Sequence, residues 1–239
     1  MAEETTSITY VFSFPDGHKE TFVVVLDPKT IAATEPLPEN LPDWTLLDFH
    51  KCVHCPLQSE THPHCPLSAR ICGIVDRFAE IISYEEMVVE VLTPERTVSK
   101  STSAQQGLSA LMGLVMATSG CPIMALFRPM AAFHLPFATS DETTYRAASM
   151  YLLAQYYLYR QTGNADLSMR GLGDFYRSVE VLNEHMAKRV REAIERDAAI
   201  NALVELDFFA KNFTFGMEER LDELKYIFQP YLDRFDGKN

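Results

Sequence analysis

Apolar β-branched and aromatic residues dominate Ile8–Phe14 and Glu20–Leu26, two β-rich runs that flank Pro15-Asp16-Gly17-His18. Asp-Gly supplies the positive φ that a tight hairpin turn requires, so the pattern predicts a β-hairpin closed by Asp27-Pro28. Three prolines (Pro36, Pro38, Pro42) then impose an extended connector. Over Ala69–Ile82 the period changes: Ile71, Ile74, Val75, Phe78 and Ile82 recur at the i, i+3, i+4, i+7 spacing of an amphipathic helix. Apolar and polar residues alternate over Glu86–Leu92 and Arg96–Ser101 about Thr93-Pro94-Glu95, which predicts a second hairpin. From Ala104 onward the chain reads as helical, with breaks at Gly120-Cys121-Pro122, Leu135-Pro136, Gly163-Asn164 and Phe215-Gly216.

Two predicted helices stand out. One, from Thr143 to Gln161, is rich in tyrosine. The other, Leu172 to Asn212, carries a stripe at Phe175, Val179, Leu182, Met186, Val190, Ile194, Leu203 and Phe208 and is long enough that it either breaks or packs across the whole domain. Hairpins followed by a run of helices define an α+β fold, a small antiparallel sheet packed on a mainly α-helical bundle. One domain over residues 1–239 is expected, with the hairpins and a Cys/His loop in 1–103 and the bundle in 104–239; a split near residue 103 is the alternative.

Composition narrows the class. With 47% apolar residues in 239, the chain can bury a core without staples. Five cysteines, an odd number, and an N-terminus without a basic start or apolar stretch point to a reducing cytoplasm. The net charge of −12 opposes binding to nucleic acid or anionic membranes. It is unevenly spread: residues 1–50 carry −7, residues 51–140 only −1 and residues 141–239 −4. Ser101 to Phe127 has no charged side chain, yet its most apolar part, Leu108 to Ala117, is far short of the ~20 residues a spanning helix needs. A buried helix is expected there, and Ser109, Gly113 and Ala117, four apart, would let another helix approach it, within the core or at a subunit seam of a homo-oligomer.

The chemistry concentrates between residues 50 and 72, which hold Cys52, Cys55, Cys65, Cys72, His50, His54, His62 and His64. Cys52-Val53-His54-Cys55-Pro56-Leu57 is echoed ten residues later by His62-Pro63-His64-Cys65-Pro66-Leu67. The echo aligns two i, i+3 pairs, Cys52 with Cys55 and His62 with Cys65. Short turns of this kind present two donors each to one ion, so the expected set is a Cys₃His tetrahedron holding structural zinc. His64 is the alternative fourth ligand, and His54 and His64 otherwise serve as outer donors. An iron–sulfur cluster on Cys52, Cys55 and Cys65, with His62, Cys72 or Cys121 as the fourth corner, is the alternative cofactor. The ligand order is similar to a zinc knuckle's, but the spacers are not. Cys72 is read as a small core residue.

A separate candidate lies beyond the uncharged helix. Cys121, just before Pro122, reads first as a buried cysteine in a tight turn and otherwise as a helix N-cap whose lowered thiol pKa makes it a candidate nucleophile, with His134, first a hydrogen-bonded core histidine, as candidate acid or base. Arg128, Glu142 and Arg146 complete a candidate ligand-binding set, although Glu142 and Arg146 also fit a surface i, i+4 pair. Asp197 and Asn201, four apart, are expected to hydrogen-bond between helices.

Several motifs together, the two Cys-Pro-Leu units, Gln105-Gln106-Gly107-Leu108-Ser109, Met116-Ala117-Thr118-Ser119-Gly120-Cys121-Pro122, Phe133-His134-Leu135-Pro136 and Tyr151-Leu152-Leu153-Ala154-Gln155-Tyr156, resemble an uncharacterised bacterial family of the domain-of-unknown-function type. The resemblance spans nearly the whole chain and implies one intact domain in a bacterial cytoplasm. It implies no chemistry. The expectation from the residues is therefore a cytoplasmic metal-binding protein, a regulatory or interaction module with an unidentified small-molecule or protein partner; a thiol- or His-dependent enzyme and an iron–sulfur redox sensor are the alternatives.

Overall fold

The computed structural model describes residues 6–193 and 197–235. Strands β1 (Thr6–Ser13) and β2 (Lys19–Leu26) form the first hairpin, in register from Thr6 opposite Leu26 to Ser13 opposite Lys19. Gly17 takes φ +90° in its turn, the conformation for which the Asp-Gly pair was selected. Helix α1 (Pro66–Arg77) follows, then the second hairpin, β3 (Glu86–Leu92) and β4 (Thr97–Ser103). The hairpins join through β1 and β3 into one antiparallel sheet of order β2-β1-β3-β4. This is the α+β arrangement that the strand-forming runs predict.

The remaining helices are α2 (Ala104–Thr118), α3 (Arg128–Ala132), α4 (Ser140–Thr162), α5 (Arg170–Ala193), α6 (Ala198–Glu223) and α7 (Gln229–Phe235), with short 3₁₀ turns at Asp43–Thr45, Met124–Phe127 and Lys225–Phe228. The single long helix expected over Leu172–Asn212 is in fact two, α5 and α6; Ile194 of its stripe lies outside the described residues. Asp197 stands just ahead of α6 and accepts hydrogen bonds from the Ser83 backbone N–H (2.9 Å) and hydroxyl, while Asn201 Nδ2 donates to it at 3.1 Å. The expected hydrogen bond between helices is therefore a bond from the turn before β3 to the start of α6. Gly216 departs from helical φ/ψ inside α6, at the break predicted there.

The chain forms two compact units. The first takes in the chain up to Phe137 together with Ser178–Phe208. In its core every second residue of β1 (Ile8, Tyr10, Phe12) turns inward, as the pleat requires, with Val24 and Leu26 of β2 and Met87, Val89 and Val91 of β3. Phe12 meets Phe78, just past α1, edge to face at 5.1 Å. Helix α2 lies against the sheet at Gly107, where a Cβ would come within 2.9 Å of Val89 and 3.0 Å of Phe12. Its lack of charge is explained by burial: every residue from Leu111 to Thr118 except Gly113 is buried, and Gly113 faces Leu206 of α6. Among the described residues no helix is long and apolar enough to cross a membrane.

The second unit comprises Ala138–Arg177 and the chain from Phe209. Helix α4 opens with a capping box, Glu142 N donating to Thr139 Oγ1 (3.2 Å) and Thr139 N to Glu142 Oε2 (2.7 Å), and closes on left-handed Gly163. Tyr176 stacks on Phe213 at 4.1 Å between ring centres. Asp166 is the polar hub: its carboxylate accepts from the Tyr151 hydroxyl (2.9 Å), the Gly171 N–H (2.9 Å) and the N–H and hydroxyl of Ser168.

Candidate metal centre

The cysteine loop is pinned from two sides. The segment Thr45–Leu47 pairs with Pro63–Cys65: Cys65 N donates to Thr45 O (2.8 Å), Leu47 N donates to Pro63 O (2.9 Å), and Leu46 and His64 form an antiparallel bridge. From the other side comes Arg189 of α5, 1% exposed, whose guanidinium donates to three backbone carbonyls, Trp44 (2.9 Å), Leu46 (2.7 Å) and Leu47 (2.9 Å). Its planar fork matches a row of carbonyls as an ammonium could not. Cys65 directly precedes α1, whose first residue is Pro66; proline suits that position because its missing N–H is not needed there. The Cys52–Cys55 turn closes with Cys55 N donating to Cys52 O at 3.0 Å.

These thiols sense one another. Burial first, and then the neighbouring thiols of Cys65, Cys121 and Cys55, push the Cys52 thiol up to about 12, while Arg189 pulls in the opposite direction. Cys121 is pushed up to about 11, chiefly by burial; the backbone N–H groups of Met124 and Ile123 oppose the rise and Cys65 and Cys55 add to it. The lowered pKa that a turn's N-terminus would give the Cys121 thiol is thus corrected, because loss of water outweighs two N–H groups, and the residue is a buried cysteine in a tight turn. Arg189, in turn, feels Cys65, Cys52 and Cys55. Cys65, Cys121, Cys55 and the buried Arg189 guanidinium thus all act on the Cys52 thiol. Among the described residues no group of three or more His, Cys, Asp or Glu side chains is arranged so as to hold a metal ion.

The histidines divide. His62 is exposed beside the Thr61 hydroxyl (Nδ1 to Oγ1, 2.9 Å). His64 Nδ1 lies 2.7 Å from Thr45 Oγ1, whose own proton is given to Pro42 O at 2.7 Å, so Nδ1–H of His64 is the donor in that bond. His54 Nε2 is buried without a hydrogen-bond partner among the described residues. Cys72 is buried in α1, its thiol donating to Ala69 O at 3.2 Å, as expected of a core residue.

The other candidate constellation is divided between the units. Cys121, Arg128 and His134 belong to the first, and Glu142 and Arg146 to the second. His134 Nε2 shares a 2.5 Å hydrogen bond with the hydroxyl of fully buried Tyr10, and Arg128 Nε is buried without a hydrogen-bond partner among the described residues. Glu142 is committed to the capping box, which together with Arg146 holds its carboxyl below the usual range. Burial draws the Arg146 pKa down, against Tyr176 and Glu142. Arg189 is the residue that the sequence reading passed over, although a signal existed: it follows Leu182 and Met186 at positions seven and three on, an arginine set into an apolar stripe.

The profile of a family described as a domain of unknown function (DUF6901) matches residues 8–229. No curated protein and no solved structure matches the chain.

Proposed function

The chain belongs to the DUF6901 family, and from its own residues we propose that it is a cytoplasmic metal-binding protein whose ligands are Cys52, Cys55, Cys65 and Cys121. What supports this reading is the pinned loop that carries the Cys52–Cys55 turn and sets Cys65 at the start of α1, together with the action of Cys65, Cys121 and Cys55 on the Cys52 thiol, although the side chains as they stand are not gathered into a coordination sphere. The donor chemistry fits zinc: four thiolates suit its tetrahedral preference, and Arg189 places a fixed positive charge beside a centre that four thiolates would leave doubly negative. Cys121 is proposed in place of His62 as the fourth donor because His62 is exposed whereas Cys121 is buried and acts on the Cys52 thiol. Zinc bound here supplies a cross-link between the cysteine loop and the end of α2; it takes part in no reaction. Such a centre fixes the surface of an interaction module, and its folding free energy includes the metal's binding energy.

Elemental analysis and an absorption spectrum of anaerobically purified full-length protein test the reading. One zinc per chain in a colourless sample is expected, lost in Cys52→Ser and Cys121→Ser and retained in His62→Ala. The absence of stoichiometric metal overturns it. A brown sample with iron and sulfide would assign the same four thiols to an iron–sulfur cluster instead, since an all-thiolate set suits that group as well.

A further inference from the structure

Helix α4 turns its apolar side to solvent. The residues it buries are small or polar, Thr144, Ala147, Ala148 and Gln155, while Tyr145, Leu152, Leu153, Tyr156, Tyr157 and Tyr159 are between 38% and 57% exposed. Tyr145, Leu152 and Tyr159 are seven apart and Tyr156 follows Leu152 by four, so they form a continuous stripe, with Leu153 and Tyr157 along its flank. A surface helix ordinarily shows charge on this side. None of these six side chains carries any, and Arg160 beside them lies over the Tyr156 ring. The patch continues beyond the helix, because Tyr145 stacks on Phe228 at 6.2 Å.

We infer that this stripe is the seam of a homodimer, α4 packing on α4 of a second copy about a two-fold axis. Area supports it: at ~200 Å² per tyrosine side chain, four half-exposed tyrosines show ~400 Å². Leu152, Leu153 and Phe228 raise this to roughly 600 Å², most of the roughly 800 Å² that each partner of a standard interface buries. Charge selects the partner. A basic partner would need carboxylates on the stripe, and an anionic membrane would need a row of lysines, which the stripe lacks and the net charge of −12 opposes. What fits an uncharged tyrosine-leucine ridge with seven-residue spacing is another such ridge, and a two-fold axis supplies it from the same sequence.

Sedimentation velocity of the full chain over a micromolar concentration series tests this. A dimer is expected, and Leu152→Glu with Tyr156→Glu is expected to weaken it ~30-fold or more, as loss of a central hot spot does. Tyr159→Ala, harmless at an exposed helical position, weakens it as well without altering the circular dichroism, which keeps the test valid should the double variant fail to fold. Tyr156→Phe keeps the ring and retains the dimer. A wild-type chain that is monomeric at every concentration, a dimer indifferent to the charged and truncating substitutions, or a monomer that sediments with lipid vesicles overturns the inference.

Discussion

At the scale of single residues, Arg189 and Asp166 do comparable work in the two units, each tying together backbone segments that no strand or helix joins. Removal of the Arg189 guanidinium takes a donor from the carbonyls of Trp44, Leu46 and Leu47, of which Leu46 O keeps the Phe49 N–H. Arg189→Met is expected to cost about 2–6 kcal/mol in urea unfolding, at about 1–3 kcal/mol for each of the two buried acceptors left unsatisfied. Arg189→Lys recovers only part, because one ammonium cannot span three carbonyls. Asp166 makes a prediction in pH. Hydrogen bonds from Ser168, Gly171 and Tyr151 lower its carboxyl from 3.8 to about 2, so the stabilisation it supplies is complete above the unfolded value and is lost as pH falls through the folded one. Asp166→Asn should therefore flatten the fall in stability between about pH 4 and pH 2, read by acid titration followed by circular dichroism. Three of the proposed ligands were legible from spacing alone because Cys52, Cys55 and Cys65 lie within one loop. Cys121 stands in the sequence only as one of three alternatives for the fourth corner of a cluster, and Arg189 not at all, because what joins them to that loop is the packing of the chain after α2 and of α5, which local pattern does not encode.

At the scale of elements, the β-rich and alternating runs located all four strands to within two residues, since a half-buried strand writes its β-branched content or its period directly into the sequence. Helix α1 was misplaced. Its apolar spacing suggested Ala69–Ile82, whereas it runs from Pro66 to Arg77, because the proline that starts it also belongs to a cysteine motif and was read only as part of that motif. The length of the Leu172–Asn212 stripe allows either a break or packing across the whole domain, and no local signal marks the division of α5 from α6, because Asp197 is an ordinary polar residue until Ser83 bonds it. Two glycines of α2 provide a matched test of its packing. Gly107→Ala drives a methyl against Val89 and Phe12 and should destabilise by about 1–3 kcal/mol. Gly113→Ala places its Cβ at an ordinary 3.8 Å from Leu206 and should be neutral or stabilising by up to about 1 kcal/mol. Thermal melts of the two variants should shift in opposite directions.

At the scale of the whole molecule, the net charge of −12 bears on association more than on fold. Two like-charged copies repel, so the α4 seam is expected to tighten as salt is raised and the Debye length shrinks from about 10 Å at 0.1 M. Sedimentation at low and high ionic strength reads the sign, and a dimer that dissociates in salt would mean that ion pairs hold it instead. The pinning of the cysteine loop by α5 also sets an order of events during synthesis. Arg189 is between 142 and 145 residues downstream of the carbonyls it binds. With translation at about 5–20 residues per second, the loop carrying Cys52, Cys55 and Cys65 waits roughly 7–30 s for its clamp. Through that interval the nascent chain displays, without their clamp, thiols that the finished fold half-covers.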